Sequence, residues 1–174
     1  MNEKIILAGG CFWCTEAVFS LLDGIEKITP GYIGGNTKNP TYEEVCTGTT
    51  NHAEAIEVEY DSKVISTVDV LRVFFATHDP TTLNRQGADK GTQYRSAIFY
   101  KNEAQKELAK NYMDTLTEEE VYANPIVTEL VPASTFYEAE EKHKEYYAEN
   151  PTQAYCSMVI APKLDLVHKK FVEK

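Results

Sequence analysis

The stretch KIILAGGCFWCTEAVFSLL (Lys4–Leu22) decides how the fold begins. The apolar run that opens it predicts a buried β-strand, and Gly9-Gly10 ends that strand. The apolar residues that follow the glycines recur at helical spacing, so a helix starts immediately after them. Cys11 and Cys14 therefore lie one helical turn apart at a strand-to-helix junction.

Outward from this stretch, the patterns predict a βαββαβ order of elements. The predicted strands are 4–8, 25–33, 53–60 and 96–100, and the helices among them are 11–22 and 67–77. This order is typical of an α/β two-layer sandwich with a ferredoxin-like core, in which two helices cover one face of a sheet. The chain then continues with a charged helix at 103–120, a short strand at 126–131, a helix at about 138–148 and a tail that we expect to be irregular.

The composition is typical of a single globular domain, which we expect to span 1–174. Hydrophobic residues make up 43% of the chain and charged residues 25%, with a net charge of -10. The acidic excess argues against general nucleic-acid binding, which depends on basic surface. The apolar runs are too short for a membrane span or a signal peptide. We therefore expect a cytoplasmic monomer that binds neither nucleic acid nor membrane.

The four cysteines are too few for a disulfide scaffold, so we expect them to be thiols. Cys11 and Cys14 allow three interpretations: two small buried residues, half of a zinc site, or a redox-active pair. A structural zinc site needs a second closely spaced pair, and Cys46 and Cys156 are single and far apart. The helix start offers unpaired N–H groups, which favour the thiolate form of Cys11.

The strand AEAIEVEY (Ala53–Tyr60) alternates apolar and acidic residues and carries Glu54 on its apolar side. A buried carboxyl without a basic partner has a raised pKa and can donate a proton. A glutamate still in water at the strand end is the alternative. Phe12 and Trp13 adjoin the first thiol and predict an apolar cup for a small group, with ordinary core packing as the alternative.

Three further candidate site residues lie in predicted loops and turns. Asp89 and Tyr94 belong to a polar loop at 79–94 that either reaches a site or is solvated. Tyr42 starts a predicted helical turn and is equally open to both interpretations. Cys46 shares a helical face with Tyr42, so we expect it in the core.

These segments together resemble the peptide methionine sulfoxide reductase A family. The matching segments, in family order, are GGCFWCTE (9–16), PTYEEVCTG (40–48), HAEA (52–55), HDPTT (78–82), RQGADKGTQYRS (85–96) and NPTQAYC (150–156). The resemblance implies the family's α/β sandwich and reduction of the S epimer of methionine sulfoxide, free or in peptides. It also implies that no metal or organic cofactor is needed and that thioredoxin, or dithiothreitol in its place, supplies the electrons.

The resemblance implies a role for each candidate residue. These roles are Cys11 as the nucleophile, Phe12 and Trp13 as the pocket for the methyl group, Glu54, Tyr42 and Tyr94 as the groups that bind or protonate the sulfoxide oxygen, and Asp89 as a support for substrate binding. After attack, the nucleophile is expected to be a sulfenic acid.

The recycling step departs from the family pattern. Many members have glycine in place of Cys14 and of Asn51, and many carry a glycine-rich tail with two recycling cysteines. Here Cys156 is followed by SMVIAP and no later cysteine. Cys14 is close enough for the roughly 5–6 Å Cα separation of a disulfide with Cys11. Cys156 matches the usual family position but requires the tail to reach the nucleophile, so we favour Cys14.

Two other functions stay open from the residues alone. A thioredoxin-like disulfide oxidoreductase would need only the CxxC pair of Cys11 and Cys14. A redox-sensing module that binds methionine sulfoxide without turnover would need thiols but not the surrounding polar residues.

Overall fold

A six-stranded sheet with helices packed on it forms the frame of the computed structural model, which describes residues 2–144, 146–150, 158 and 160–167. The strands are β1 (Asn2–Gly9), β2 (Ile25–Ile33), β3 (Ala53–Asp61), β4 (Arg85–Gln86), β5 (Asp89–Lys90), β6 (Ser96–Tyr100), β7 (Glu129–Pro132) and β8 (Tyr137–Glu138). The helices are α1 (Phe12–Phe19), α2 (Tyr42–Cys46), α3 (Thr67–Ala76), α4 (Glu103–Glu118), α5 (Tyr146–Glu149) and α6 (Ala161–Val167), with 3-10 turns at Thr92–Tyr94 and Glu141–His143.

The strand order in the sheet is β7-β6-β1-β3-β2-β8, and β4 and β5 form a separate hairpin. In the central part, β6, β1, β3 and β2 each run antiparallel to their neighbours, whereas β7 pairs in parallel with β6. The helix α1 connects β1 to β2 across β3, and α3 connects β3 to β6 across β1. The predicted α/β class is confirmed, and α2 is the predicted helical turn at Tyr42. The β4–β5 hairpin lies where a polar loop was expected.

Alternating side chains of β1 separate two apolar layers. Ile5 and Leu7 belong to the larger layer, which includes the buried residues of α1 and α3. Ile6 and Ala8 belong to the smaller layer on the opposite face, against which Phe136 packs. Because side chains of a strand alternate between faces, this one strand anchors both layers. Its carboxyl end leads directly into α1, where the candidate site begins.

The segment after β7 differs most from the sequence-based expectation. The predicted helix at about 138–148 is wrong, because β8, a 3-10 turn and the four-residue α5 occupy this region. The chain adds to the sheet instead: β8 pairs with the end of β2, and the Ala139 N–H donates to the Pro30 carbonyl at 2.9 Å. The expectation of an irregular tail is wrong for Ala161–Val167, which form α6. Within the described ranges, no helix has both the length and the apolar character to cross a membrane.

Candidate active site

Cys11 lies at the N-cap of α1, directly after β1. Its backbone is extended (φ -60°, ψ 129°), and its carbonyl accepts a hydrogen bond from the Cys14 N–H at 3.0 Å. The preceding Gly10 has φ +95°, and a Cβ atom there would lie 2.7 Å from Cγ of Gln86. A residue other than glycine would therefore be strained at this turn. The side chain of Cys11 is only 7% exposed.

The Cys11 thiol is protonated in the resting site. Burial raises its pKa well above the ordinary value, and a hydrogen bond with the Cys14 side chain and the charge of Glu54 raise it further. The Trp13 backbone N–H acts in the opposite direction. The expectation that the helix start favours a thiolate is thus wrong here, because the loss of water outweighs the contribution of the helix N-terminus.

Glu54 extends from β3 to the start of α1 and is 1% exposed. Its Oε1 accepts a hydrogen bond from the Phe12 N–H at 3.2 Å, while its Oε2 meets no hydrogen-bond partner among the described residues. Burial raises the pKa of Glu54 to about 8. The hydrogen bond from Phe12 lowers this pKa, whereas the charges of Asp89 and Cys14 raise it further. The predicted burial and raised pKa are confirmed, so this carboxyl is mostly neutral at pH 7.

The two aromatic residues after Cys11 have different surroundings. Phe12 is fully buried in the larger apolar layer. Trp13 is half-buried, stacks on Tyr146 with ring centroids 3.9 Å apart, and donates from Nε1 to Nδ1 of His143 at 3.1 Å. Phe12 is therefore an ordinary core residue, which was the alternative to a role in the apolar cup. Trp13 instead presents its ring at the edge of the site.

Tyr42 starts α2, and its ring centroid lies 4.4 Å from that of His143. Its N–H donates to Oε2 of Glu140 at 3.0 Å, and Tyr42 and Cys46 line the same cavity. Cys46 is exposed, so the prediction that it belongs to the core is wrong. The physical reason is the shortness of α2, in which Val45 is the residue that reaches the core.

Tyr94 and Asp89 approach the site from the loop before β6. Tyr94 ends the 3-10 turn and packs against the buried cluster that contains Cys11. Asp89 lies in β5, and its charge acts on Glu54 and Tyr94 in addition to their burial. Burial, and after it the charge of Glu54, raises the pKa of Tyr94 and of Tyr42. Both hydroxyls therefore keep their protons and can donate hydrogen bonds.

A wall of the site comes from a segment with no recognised signal in the sequence. His143 and Tyr146 line a cavity of about 500 Å³ together with Tyr42, Glu43, Cys46 and Lys142. His143 is 3% exposed, and burial lowers its pKa, so the neutral ring can accept the Trp13 hydrogen bond. The sequence pattern predicted a helix at about 138–148, and that prediction did not point to this wall.

Of the two candidates for the second thiol, Cys14 lies among the described residues and Cys156 does not. Cys14 is 2% exposed and belongs to the same buried cluster as Cys11. Cys156 lies outside the described residues, so the pairing predicted for it has no structural description. No group of three or more His, Cys, Asp or Glu side chains suited to a metal ion is found in the part of the chain that the structure describes.

The site and the frame together define a class of protein. The site contains a buried thiol, a second thiol one helical turn away, a neutral carboxyl group and two phenol donors. These groups are the ones that a thiol-dependent oxidoreductase uses. The family model described as peptide methionine sulfoxide reductase matches residues 3–174. The chain belongs to this family.

Individual relatives agree with the family match. The chain is 52% identical over 174 residues to the peptide methionine sulfoxide reductase MsrA of Natronomonas pharaonis, covering 100% of this chain and 98% of that protein. Its fold is similar to the crystal structure of Mxr1 from Saccharomyces cerevisiae in reduced form, with a TM-score of 0.81, 40% identity and 89% of each chain covered. It is also similar to Mxr1 in complex with Trx2, with a TM-score of 0.57, 28% identity, and 83% of this chain and 84% of that chain covered.

Proposed function

We propose that this protein reduces the S epimer of methionine sulfoxide, free or within polypeptides, to methionine, with Cys11 as the nucleophile. The observation that carries the proposal is the position of the buried Glu54 carboxyl, which accepts from the Phe12 N–H directly after the buried Cys11 at the start of α1. It is a thiol-dependent repair activity for oxidised proteins, and thioredoxin is its reductant. The other site residues act around this pair.

Glu54 is the proton donor in this mechanism. A sulfoxide is a poor electrophile until its oxygen is protonated or strongly hydrogen-bonded, and a positioned general acid accelerates such a step by about 10²–10⁴-fold. Oε2 of Glu54, buried and without a partner among the described residues, is the atom that carries the proton. The Tyr42 and Tyr94 hydroxyls bind the same oxygen, and Asp89 supports them.

Cys11 accepts the oxygen. Its sulfur attacks the sulfoxide sulfur and forms a sulfur–sulfur bond. The protonated oxygen then moves from the substrate sulfur to the Cys11 sulfur, the sulfur–sulfur bond breaks, and methionine leaves with the electron pair of that bond. The oxygen ends on Cys11 as a sulfenic acid, and the proton of the thiol replaces the one that Glu54 gave. The substrate methyl group rests against Trp13, with Phe12 behind it as the support of the apolar surface.

The second thiol restores the enzyme. Cys14 condenses with the Cys11 sulfenic acid, water leaves, and the resulting disulfide is reduced by exchange with thioredoxin. The shared buried cluster of Cys11 and Cys14 supports Cys14 in this role, with Cys156 as the alternative. The cycle runs on thiols alone, without a metal or an organic cofactor. We place it in the cytoplasm, in a single-domain monomer, where the cysteines are kept reduced between turnovers.

The experiment presents the S and R epimers of N-acetylmethionine sulfoxide separately, with dithiothreitol or with thioredoxin and its reductase. Turnover of the S epimer alone, lost in Cys11→Ser, is the expected result. Two outcomes would contradict the proposal. Reduction of insulin disulfides without sulfoxide turnover would indicate a thioredoxin-like oxidoreductase, and sulfoxide binding without turnover would indicate a sensor.

A further inference from the structure

We propose that Glu140 is a positioning residue for substrate binding, which holds Tyr42 and the Trp13–His143 pair in one arrangement. Its carboxylate and its backbone connect three elements: the strand β2, the start of α2 and the 3-10 turn Glu141–His143. We call this connection the Glu140 clamp. The inference rests on the proposed function, in which Tyr42 binds the sulfoxide oxygen and Trp13 receives the methyl group.

The first contact of the clamp fixes where α2 begins. Oε2 of Glu140 accepts a hydrogen bond from the N–H of Tyr42 at 3.0 Å. The N–H groups in the first turn of a helix have no partner within that helix. The capping box between Thr41 and Glu44 already forms the start of α2, so the contact with Glu140 determines the position of this helix rather than its formation. Tyr42 is thereby placed by a residue 98 positions further along the chain.

The second contact anchors the carboxylate to the sheet. Oε1 of Glu140 accepts a hydrogen bond from the Tyr32 hydroxyl at 2.9 Å. Tyr32 is fully buried in β2, lies opposite Glu54 in the register of β2 and β3, and has its ring centroid 5.7 Å from that of Phe12. Opposite residues of two antiparallel strands project from the same face of the sheet. Glu140 is thus tied to the part of the sheet that carries the proposed proton donor.

The third contact joins the clamp to the wall of the cavity. The Glu140 carbonyl accepts a hydrogen bond from the His143 N–H at 3.0 Å across the 3-10 turn. The ring centroid of His143 lies 4.4 Å from that of Tyr42, and its Nδ1 atom accepts from the Trp13 indole. These contacts form a closed circuit from Glu140 through Tyr42 and His143 back to Glu140, and Trp13 is bound to one of its members. Loss of the carboxylate therefore releases Tyr42 and Trp13 from a common frame.

The Glu140 side chain suits this role because it is an ionised acceptor. Its partial burial raises its pKa, but the hydrogen bonds from the Tyr42 N–H, from its own N–H and from the Tyr32 hydroxyl together outweigh burial and keep the pKa below the ordinary value. An ionised carboxylate only accepts hydrogen bonds. Its two oxygens can therefore hold donors from two different elements at once.

The test measures KM for the S epimer of N-acetylmethionine sulfoxide and the single-turnover rate of Cys11 oxidation at saturating substrate. We expect Glu140→Ala to raise KM about tenfold or more, because hydrogen bonds to a charged acceptor are lost. The saturated rate should fall less than about threefold, since Cys11 and Glu54 are unchanged. Glu140→Gln should restore most of the affinity, because its oxygen can accept from the Tyr42 N–H while its amide donates to the Tyr32 oxygen.

Two further variants give the control and the double-mutant comparison. Glu141→Ala is the matched control, because it removes a neighbouring carboxylate that forms only a surface ion pair with Lys144, and KM should not change. Tyr32→Phe removes the anchor on the sheet and should raise KM less than Glu140→Ala does. In a Glu140→Ala background, Tyr32→Phe should have no further effect on KM, because the acceptor of its hydroxyl is already gone.

A second readout uses the protein without substrate. The emission of Trp13, the only tryptophan of the chain, should shift in Glu140→Ala and keep its wild-type position in Glu141→Ala. The reason is that Glu140→Ala frees the turn that carries His143, the acceptor of the indole hydrogen bond.

The outcomes separate the clamp from the proposed function. Wild-type KM and wild-type emission in Glu140→Ala, or a Glu140→Gln variant as impaired as Glu140→Ala, would overturn the inference. Failure of the wild-type protein to reduce the S sulfoxide would overturn the proposed function instead, and the emission of Trp13 would still test the clamp. Thermal unfolding identifies a variant that does not fold, and Glu140→Gln with Tyr32→Phe keeps the test decisive if Glu140→Ala does not.

Discussion

The two halves of the site differ in how far they exclude water. The buried half consists of Cys11, Cys14 and Glu54, and these side chains are at most 7% exposed. The open half consists of Trp13, Tyr42, Cys46 and Tyr146, which are half-buried or exposed, together with the buried ring of His143. All of these except Trp13 line the cavity of about 500 Å³. The buried half comes from two neighbouring elements, β3 and the start of α1. The open half is assembled from segments more than a hundred residues apart.

This difference separates chemistry from recognition. Loss of water keeps the Glu54 carboxyl mostly neutral beside the protonated thiol, whereas an exposed carboxyl would be ionised at neutral pH. The aromatic rings that stack at the border of the cavity instead give the binding surface its shape. Each single ring contact there contributes little to substrate binding. We therefore expect large effects from changes in the buried half and small ones from changes in the open half.

The largest effect is expected from removing the buried acid. Glu54→Gln keeps the shape and the acceptor for the Phe12 N–H but cannot give a proton to the sulfoxide. The single-turnover rate of Cys11 oxidation should fall by about 10²–10⁴-fold. The pH dependence gives a second prediction. The wild-type rate should decline as pH rises through about 8, where Glu54 loses its proton, and the variant should not show this decline.

Glu57→Gln on the same strand is the matched control, because Glu57 forms a surface ion pair with Lys101. Its rate should stay close to that of wild type. A Glu54→Gln variant with the wild-type rate between pH 5 and 9 would remove Glu54 from the role of proton donor.

The same substitution should stabilise the fold at neutral and alkaline pH. The pKa of Glu54 is about 8 in the folded protein and about 4.5 in the unfolded chain. The free energy of unfolding is therefore at its full value below pH 4.5, where Glu54 is protonated in both states, and it falls as the pH rises through about 8. At about 1.4 kcal/mol per pH unit, this cost reaches the order of 5 kcal/mol. Urea unfolding of Glu54→Gln and wild type should give nearly equal stability at pH 4 and a clear advantage for the variant at pH 8. Parallel curves at both pH values would contradict this.

The next effect concerns the second thiol of the buried half. Cys14→Ser should still release one methionine per protein, because Cys11 and Glu54 are unchanged. Thioredoxin-coupled turnover should fall by about 10²-fold or more, because the adjacent thiol acts at high effective concentration. Mass spectrometry after one turnover, with a reagent that traps sulfenic acids, should find Cys11 trapped in the variant. A disulfide between Cys11 and Cys156 as the first one formed would contradict the choice of Cys14.

The buried half was predictable from the sequence, because local pattern determines it. A strand, two glycines and a helix place Cys11 at the junction, and the alternation in β3 turns Glu54 inward. The protonation state of the thiol was not predictable, since it depends on burial by elements far along the chain. The match to family segments implied Tyr42 and Tyr94 as partners, but not the hydrogen bond from the Gln93 amide to the Cys46 carbonyl.

The open half was predictable only in part, because its last segment follows tertiary contacts rather than local preference. The pattern at 138–148 favours a helix, yet the edge of β2 was available for pairing and took up β8 instead. That pairing is followed by the turn Glu141–His143, which brings His143 under Trp13. Spacing alone could not indicate this, since the two residues are 130 positions apart.

The smallest effect is expected in this open half, from His143→Phe. The substitution keeps an aromatic ring against Trp13 but removes the Nδ1 atom that accepts from the indole N–H at 3.1 Å. KM for the S sulfoxide should rise about three- to tenfold with little change in the rate of Cys11 oxidation, because one neutral hydrogen bond orients the ring and takes no part in the chemistry.

Tryptophan fluorescence gives a second readout of the same change, because the chain has a single tryptophan. The emission of Trp13 should shift in His143→Phe and return towards the wild-type spectrum in His143→Asn, whose amide oxygen lies near the position of the missing Nδ1 atom. A fall in the oxidation rate as large as that of Glu54→Gln would mean that the open half shares in the chemistry. The division between a buried reactive half and an open recognition half would then be wrong.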